Sequence, residues 1–232
     1  MTKSSKYNRI LGFVKKICPS GIAFRFSVLT NARQPLQIPT YDGSGQVVHP
    51  SVIDFLHEYG MDAWAGYRYW MVLTPYPQSQ DQYENPSLYA SHDGITWVVP
   101  QNITNPLDQA AGGWEKGFLN DPEKIYNPDN DQIWLYYRFA NADALKMLLI
   151  KINRDSTLTP PVTIMEQSPW NHKDNRTRSF SLWRESRNRW HMWGGGGEDK
   201  PPYNTYYFFS TDGISWGAEA WKLIERTGLP AT

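Results

Sequence analysis

The sequence predicts an all-β protein built from a repeated unit of short strands. Aromatic residues make up 15% of the 232 residues, beside 17 Gly and 17 Pro, and this mixture is typical of strands joined by tight turns. Short β-branched and aromatic runs alternate with turn residues along the chain. No window longer than about ten residues places its apolar residues at the 3.6-residue period of a helix.

The strand pattern recurs in three units, which begin at His49, Asp121 and Ser179. Each unit has four apolar runs separated by turns, as expected for a four-stranded antiparallel sheet. Before the first unit we expect an N-terminal extension, residues 1–45, with one or two strands that include residues 23–29. The units themselves are predicted at about residues 46–100, 115–167 and 176–225.

A turn motif recurs between the third and fourth runs of two units. The pattern S-x-D-G-I-x-W occupies residues 91–97 and again residues 210–216. Its Asp-Gly pair supplies the positive φ that a tight turn needs. Four-stranded antiparallel sheets that repeat in this way are the blades of a β-propeller, which is therefore the predicted fold.

Five segments resemble the five-bladed propellers of glycoside hydrolase families 43 and 32, and related propellers occur in phage receptor-binding proteins that recognise glycans. The segments are HPSVI (49–53), WMVLTPYP (70–77), ENPSL (84–88), SHDGITW (91–97) and DPE (121–123). The resemblance implies a carbohydrate ligand. Three blades are fewer than the roughly 4 to 8 that close a ring. The predicted propeller is thus partial or open, and its free edges favour self-association.

The same resemblance implies a base Asp, a second Asp that tunes pKa values and a general-acid Glu at the starts of successive innermost strands. At these positions the chain has His49, Asp121 and Ser179, so that only Asp121 is retained. His49 is a candidate base near neutral pH. Ser179 cannot protonate a leaving oxygen, so the standard catalytic set is predicted to be incomplete.

An acid would have to come from a loop on the same face, and the candidates there are Glu84, Glu198 and Asp174. Glu123 lies two residues after Asp121, on the same side of the pleat, and is a weaker candidate.

Sugar binding calls for aromatic faces and hydrogen-bonding groups, and the long loops on this face carry both. The predicted substrate contacts are Tyr76, Tyr83, Trp114, Trp170, His172, Asp174, Arg178 and Ser179. Other tryptophans lie on strands or directly after turns, where large aromatic side chains are usual core packing. We expect Trp97, Trp134, Trp183 and Trp216 to pack between blades.

Three functions remain open at this point. The first is a glycan-recognising propeller of glycoside-hydrolase descent. The second is an active glycosidase that uses Asp121 with a loop carboxylate. The third is a structural propeller domain of a phage tail or cell-surface assembly.

Composition argues against several other classes. The 23 basic and 23 acidic residues cancel, which disfavours a nucleic-acid partner. No apolar run approaches the roughly 18 residues that span a bilayer. Cys18 is the only cysteine, so no intrachain disulfide forms.

The apolar run 10–14 is too short for a signal peptide, so we expect a cytoplasmic or virion-associated protein. We expect no cofactor. The carboxylates on the long-loop face would suit Ca²⁺, but no ligand spacing argues for it.

Overall fold

A computed structural model describes residues 35–112, 115–142, 144–167, 177–196, 204–216 and 222–223. Contacts divide the chain into two units, Met1–Leu36 and Gln37–Thr232. Every strand described below belongs to the second unit. The strand predicted at residues 23–29 lies outside the described residues.

The described strands form three antiparallel sheets, each ordered as in the sequence. Sheet 1 contains β1 (Val47–Asp54), β2 (Tyr69–Pro75) and β3 (Ser87–Ser91). Sheet 2 contains β4 (Phe118–Asn127), β5 (Gln132–Ala140), β6 (Leu145–Asn153) and β7 (Val162–Gln167). Sheet 3 contains β8 (Thr177–Ser186), β9 (Arg189–Gly196), β10 (Asn204–Ser210) and β11 (Lys222–Leu223). This arrangement confirms the all-β class and the β-propeller fold, with the three sheets as blades.

Sheet 1 departs from the predicted four strands in two places. The fourth run, at residues 95–100, contributes only one bridge, between Ala90 and Val98, and Pro100 has no N–H with which to extend it. The first run ends early because the Asp54 carboxylate accepts N–H groups of the next residues and caps a short helix, α1 (Phe55–Tyr59). In the described ranges no helix has the length and apolar character needed to cross a membrane.

Two apolar layers join the three sheets. Between sheets 1 and 2, Trp64 and Trp70 pack edge to face, and Tyr126 of β4 contacts the same layer. Between sheets 2 and 3, the ring of Trp134 stacks on that of Trp190 with centroids 5.1 Å apart. The first strands of the sheets are also neighbours, since β1 contacts β4 and β4 contacts β8. Residues near the start of β1 and β4 are thereby brought to one place.

The tryptophan predictions divide into two groups. Trp134 and Trp216 are buried in the layer between sheets 2 and 3, as predicted. Trp97 is buried as well, but it packs against residues of sheet 1 and Ile38 rather than between sheets. The prediction for Trp183 is wrong, because its side chain is 52% exposed. Successive residues of a strand point to opposite faces, and in β8 it is Leu182 that packs into the layer between sheets 2 and 3.

The repeated turn motif is confirmed in detail. In residues 91–97 the Asp93 carboxylate accepts two backbone N–H groups, the Ser91 hydroxyl oxygen accepts that of Gly94, and the Trp97 indole donates to the Gly94 carbonyl. The same bonds recur in residues 210–216. Gly94 and Gly213 both have φ of 73°. The backbone N–H bonds hold the pKa of Asp93 down at about 2.

We expect Gly213→Ala to destabilise the protein more than Gly94→Ala. Both alanines would have the same left-handed backbone, at a cost of about 1–2 kcal/mol. A Cβ on Gly213 would also lie 2.9 Å from the Trp190 ring, whereas one on Gly94 would make an ordinary 3.6 Å contact with Tyr69. Such overpacking adds about 1–3 kcal/mol. Urea unfolding of the two variants measures the difference, and equal free energies of unfolding would contradict it.

Candidate functional site

His49 and Asp121 occupy equivalent bulges near the start of β1 and β4. The strand register shifts between Val48 and Ser51 in β1 and between Asn120 and Glu123 in β4. Both bulged residues have positive φ, 53° for His49 and 49° for Asp121, and a proline follows each. A bulge redirects a side chain away from the regular ladder, and positive φ in a residue other than glycine is a strained state concentrated at functional sites.

The two bulges bring His49 and Asp121 into contact, and Glu84 joins them from the loop after β2. Nδ1 of His49 lies 3.2 Å from Oδ1 of Asp121 and 3.7 Å from Oε1 of Glu84. The His49 side chain is 47% exposed, while those of Glu84 and Asp121 are 7% and 9% exposed. An accessible imidazole therefore covers two recessed carboxyl groups.

A fourth group, Arg138 of β5, was not predicted from the sequence. Its Nε donates to Oδ1 of Asn120 at 2.7 Å, and a terminal nitrogen lies 3.3 Å from Oδ2 of Asp121. The sequence did contain one signal for it, because Arg138 is the charged residue within the otherwise uncharged run Ile133–Phe139. We call His49, Glu84, Asp121 and Arg138 the mouth cluster.

Glu84 has an unusual affinity for its proton. Burial, and next the negative charge of Asp121, raise the pKa of Glu84 to about 8, although the positive charge of Arg138 opposes the rise. Glu84 is therefore a neutral acid at pH 7. The cluster pairs this acid with a second carboxyl group and an imidazole, which is the set of groups that general acid–base chemistry uses.

Beside the mouth cluster, Ser51, Glu123 and Lys124 link β1 to β4. The Ser51 hydroxyl donates to a Glu123 carboxylate oxygen, and Nζ of Lys124 donates to the Ser51 oxygen at 3.0 Å. Lys124 is buried, and burial lowers its pKa to about 8. Glu123, the weaker catalytic candidate, is thus a member of the link between the blades in this structure.

Three of the predicted substrate contacts, Tyr76, Tyr83 and Ser179, lie among the described residues and have different surroundings. The Tyr76 hydroxyl donates to Asp81 at 3.2 Å, and burial together with the charges of Asp81 and Glu84 raises its pKa. The Tyr83 carbonyl accepts the hydroxyl of Tyr41. Ser179 is exposed on β8, directly after a register shift that falls at Arg178.

Several predicted site residues lie outside the described part of the chain. They are Trp114, Trp170, His172, Asp174 and Glu198, together with the side chain of Arg178. Within the described ranges, no group of three or more His, Cys, Asp and Glu side chains could hold a metal ion.

Comparison with known proteins adds one relative in sequence. A 97-residue stretch is 38% identical to the A type blood N-acetyl-alpha-D-galactosamine deacetylase of Flavonifractor plautii, and it covers 41% of this chain and 12% of the deacetylase. The chain thus matches a small part of that protein. No profile of a known protein family matches the chain.

Two solved structures resemble this one in fold. The first is an N-acetylgalactosamine deacetylase from F. plautii in complex with blood group B trisaccharide, with a TM-score of 0.68, 23% identity, and coverage of 82% of this chain and 57% of the other. The second is an alpha-L-arabinofuranosidase from Fusarium graminearum in complex with an iminosugar inhibitor, with a TM-score of 0.57, 17% identity, and coverage of 76% and 50%. At sequence identities this low, the structural similarity shows a shared fold and no more.

The protonation of Glu84 has a measurable effect on stability. Its pKa is 4.5 in the reference state and about 8 in the fold. The folded state therefore binds the proton more tightly, and this stabilisation is complete below pH 4.5 and is lost as the pH rises through 8.

We expect Glu84→Gln, which stays neutral, to lose this part of the pH dependence, a difference on the order of a few kcal/mol between pH 5 and 9. Urea unfolding of wild type and variant across that range measures it. Parallel curves for the two proteins would contradict the assignment. Glu58→Gln, at an exposed position of α1, is the matched control.

Proposed function

We propose that this propeller binds a glycan at the mouth cluster. The observation that carries the proposal is the meeting of His49, Glu84 and Asp121 at the start of adjacent first strands, with an accessible imidazole over recessed carboxyl groups. Sugar hydroxyls donate to carboxylates and accept from imidazole and guanidinium groups.

The comparisons indicate which glycans to test first. The relative in sequence is named for a blood-group amino sugar, and a structure of similar fold was determined with a blood group trisaccharide. Blood group A and B trisaccharides are therefore the first probes to use, followed by a broader glycan array.

We expect wild-type protein to bind at least one of these glycans and His49→Ala to bind it at least tenfold more weakly, because His49 is the exposed member of the cluster. Isothermal titration calorimetry measures both affinities. His57→Ala is the matched control, since His57 is exposed beyond the other end of β1 and should leave affinity unchanged. If the protein at millimolar concentration binds no glycan, the proposal is wrong.

A second candidate function is hydrolysis of the bound glycan, and the protonated state of Glu84 favours it. Glu84 would give its proton to the leaving atom, and Asp121 would take a proton from the attacking water. Both carboxyl groups approach within 3.7 Å of one imidazole nitrogen. The two carboxyl oxygens are therefore separated by no more than about 7 Å, so the pair can reach only the lower part of the range of about 5 to 9.5 Å found for paired glycosidase carboxyl groups.

If the protein is a hydrolase, Glu84→Gln and Asp121→Asn should each reduce turnover by about 100-fold or more. Glycan binding should change far less. Release of reducing sugar tests glycosidic cleavage, and release of acetate from an N-acetylgalactosamine-terminated trisaccharide tests deacetylation. Full turnover by Asp121→Asn would eliminate this mechanism, and Glu58→Gln again serves as control.

A further inference from the structure

The Arg138 side chain is held in a fixed position within the mouth cluster. Its side chain is 13% exposed, and it bonds to two adjacent residues of β4, Asn120 and Asp121. Arg138 is also the cross-strand partner of Asn120 in the register of β4 and β5. The guanidinium is therefore fixed by sheet pairing as well as by hydrogen bonds.

This attachment sets the orientation of the Asp121 carboxylate. Oδ2 faces Arg138 at 3.3 Å, so that Oδ1 is the oxygen 3.2 Å from His49. A planar guanidinium that binds two acceptors at once holds both in a defined geometry. A lysine at this position would carry the charge without the fork.

We propose that Arg138 is the positioning residue of the mouth cluster, which holds the Asp121 carboxylate with one oxygen against the guanidinium and the other against His49. Among the described residues, the charged and titratable groups around Glu84 are His49 from β1, Tyr76 and Asp81 from the loop after β2, Asp121 from β4 and Arg138 from β5. Of those described groups that shift the pKa of Glu84, Arg138 alone favours the ionised carboxylate, while burial, Asp121 and Asp81 favour the neutral acid. Removal of Arg138 should therefore raise the pKa of Glu84 further.

The experiment is an NMR titration of the Glu84 carboxyl carbon in protein labelled with ¹³C-glutamate, with the signal assigned by its loss in Glu84→Gln. We expect a midpoint of about 8 in wild type. Arg138→Met should raise the midpoint by about one pH unit or more. An unchanged or lower midpoint in a folded Arg138→Met protein would overturn the proposal.

Two further variants separate charge from general damage. Arg138→Lys keeps the charge without the fork, so it should return the midpoint only part of the way to the wild-type value. A full return would show that charge alone suffices and would overturn the positioning role, and no return at all would contradict the effect of the charge. Arg154→Met removes a cation that pairs with Asp131 at 2.9 Å on a half-exposed surface, and should leave the midpoint unchanged. A shift there as large as that of Arg138→Met would also contradict it.

If Arg138→Met does not fold, Asn120→Ala provides the same test, because it removes only the acceptor of Nε. A higher Glu84 midpoint would support the proposal, and an unmoved one would oppose it. The inference deepens the proposed function, but the titration uses no sugar. Its failure is therefore distinguishable from a failure to bind glycans.

Discussion

The candidate site depends on the packing of β4 against β1. Each strand has its own bulge, yet neither bulge alone assembles more than one member of the mouth cluster. The strands are joined nearby by the bonds among Ser51, Glu123 and Lys124. Because Lys124 is buried, its ammonium group needs the bond to Ser51, since a buried charged group left without a partner is costly. The link thus favours one relative placement of β1 and β4, the one in which His49 meets Asp121.

The same packing explains why Glu84 holds its proton so firmly. The carboxyl groups of Glu84 and Asp121 are both nearly excluded from solvent. In such a buried site an ionised group without partners is costly. Asp121 faces an arginine, while Glu84 has only an imidazole within ion-pairing distance among the described groups. Burial first, and then the negative charge of Asp121, raise the pKa of Glu84 by more than the charge of Arg138 lowers it. The high proton affinity of Glu84 thus follows from its position in the fold rather than from its residue type.

How far the sequence predicted these features depends on the range of the interactions involved. The turn at residues 91–97 was predictable because its bonds lie within seven residues. The repeat indicated that His49 and Asp121 are equivalent, and the structure places both in bulges. Arg138 was missed because its contact with Asp121 depends on the register of β4 with β5. Trp183 was misplaced because alternation along a strand does not reveal which face another sheet covers.

Glu84 shows how a loop residue can be held as firmly as one on a strand. The neighbouring Asn85 donates to the hydroxyl of Tyr41 at 2.9 Å and accepts the N–H of Ala110 at 3.1 Å, while Tyr41 donates to the carbonyl of Tyr83. These bonds tie the loop to two distant segments of the chain. A carboxyl group on a mobile loop would turn to solvent and keep its ordinary pKa, since hydration favours the ionised form. Asn85 and Tyr41 hold the loop in place, so residues outside the mouth cluster keep Glu84 in the buried position where burial and Asp121 raise its pKa.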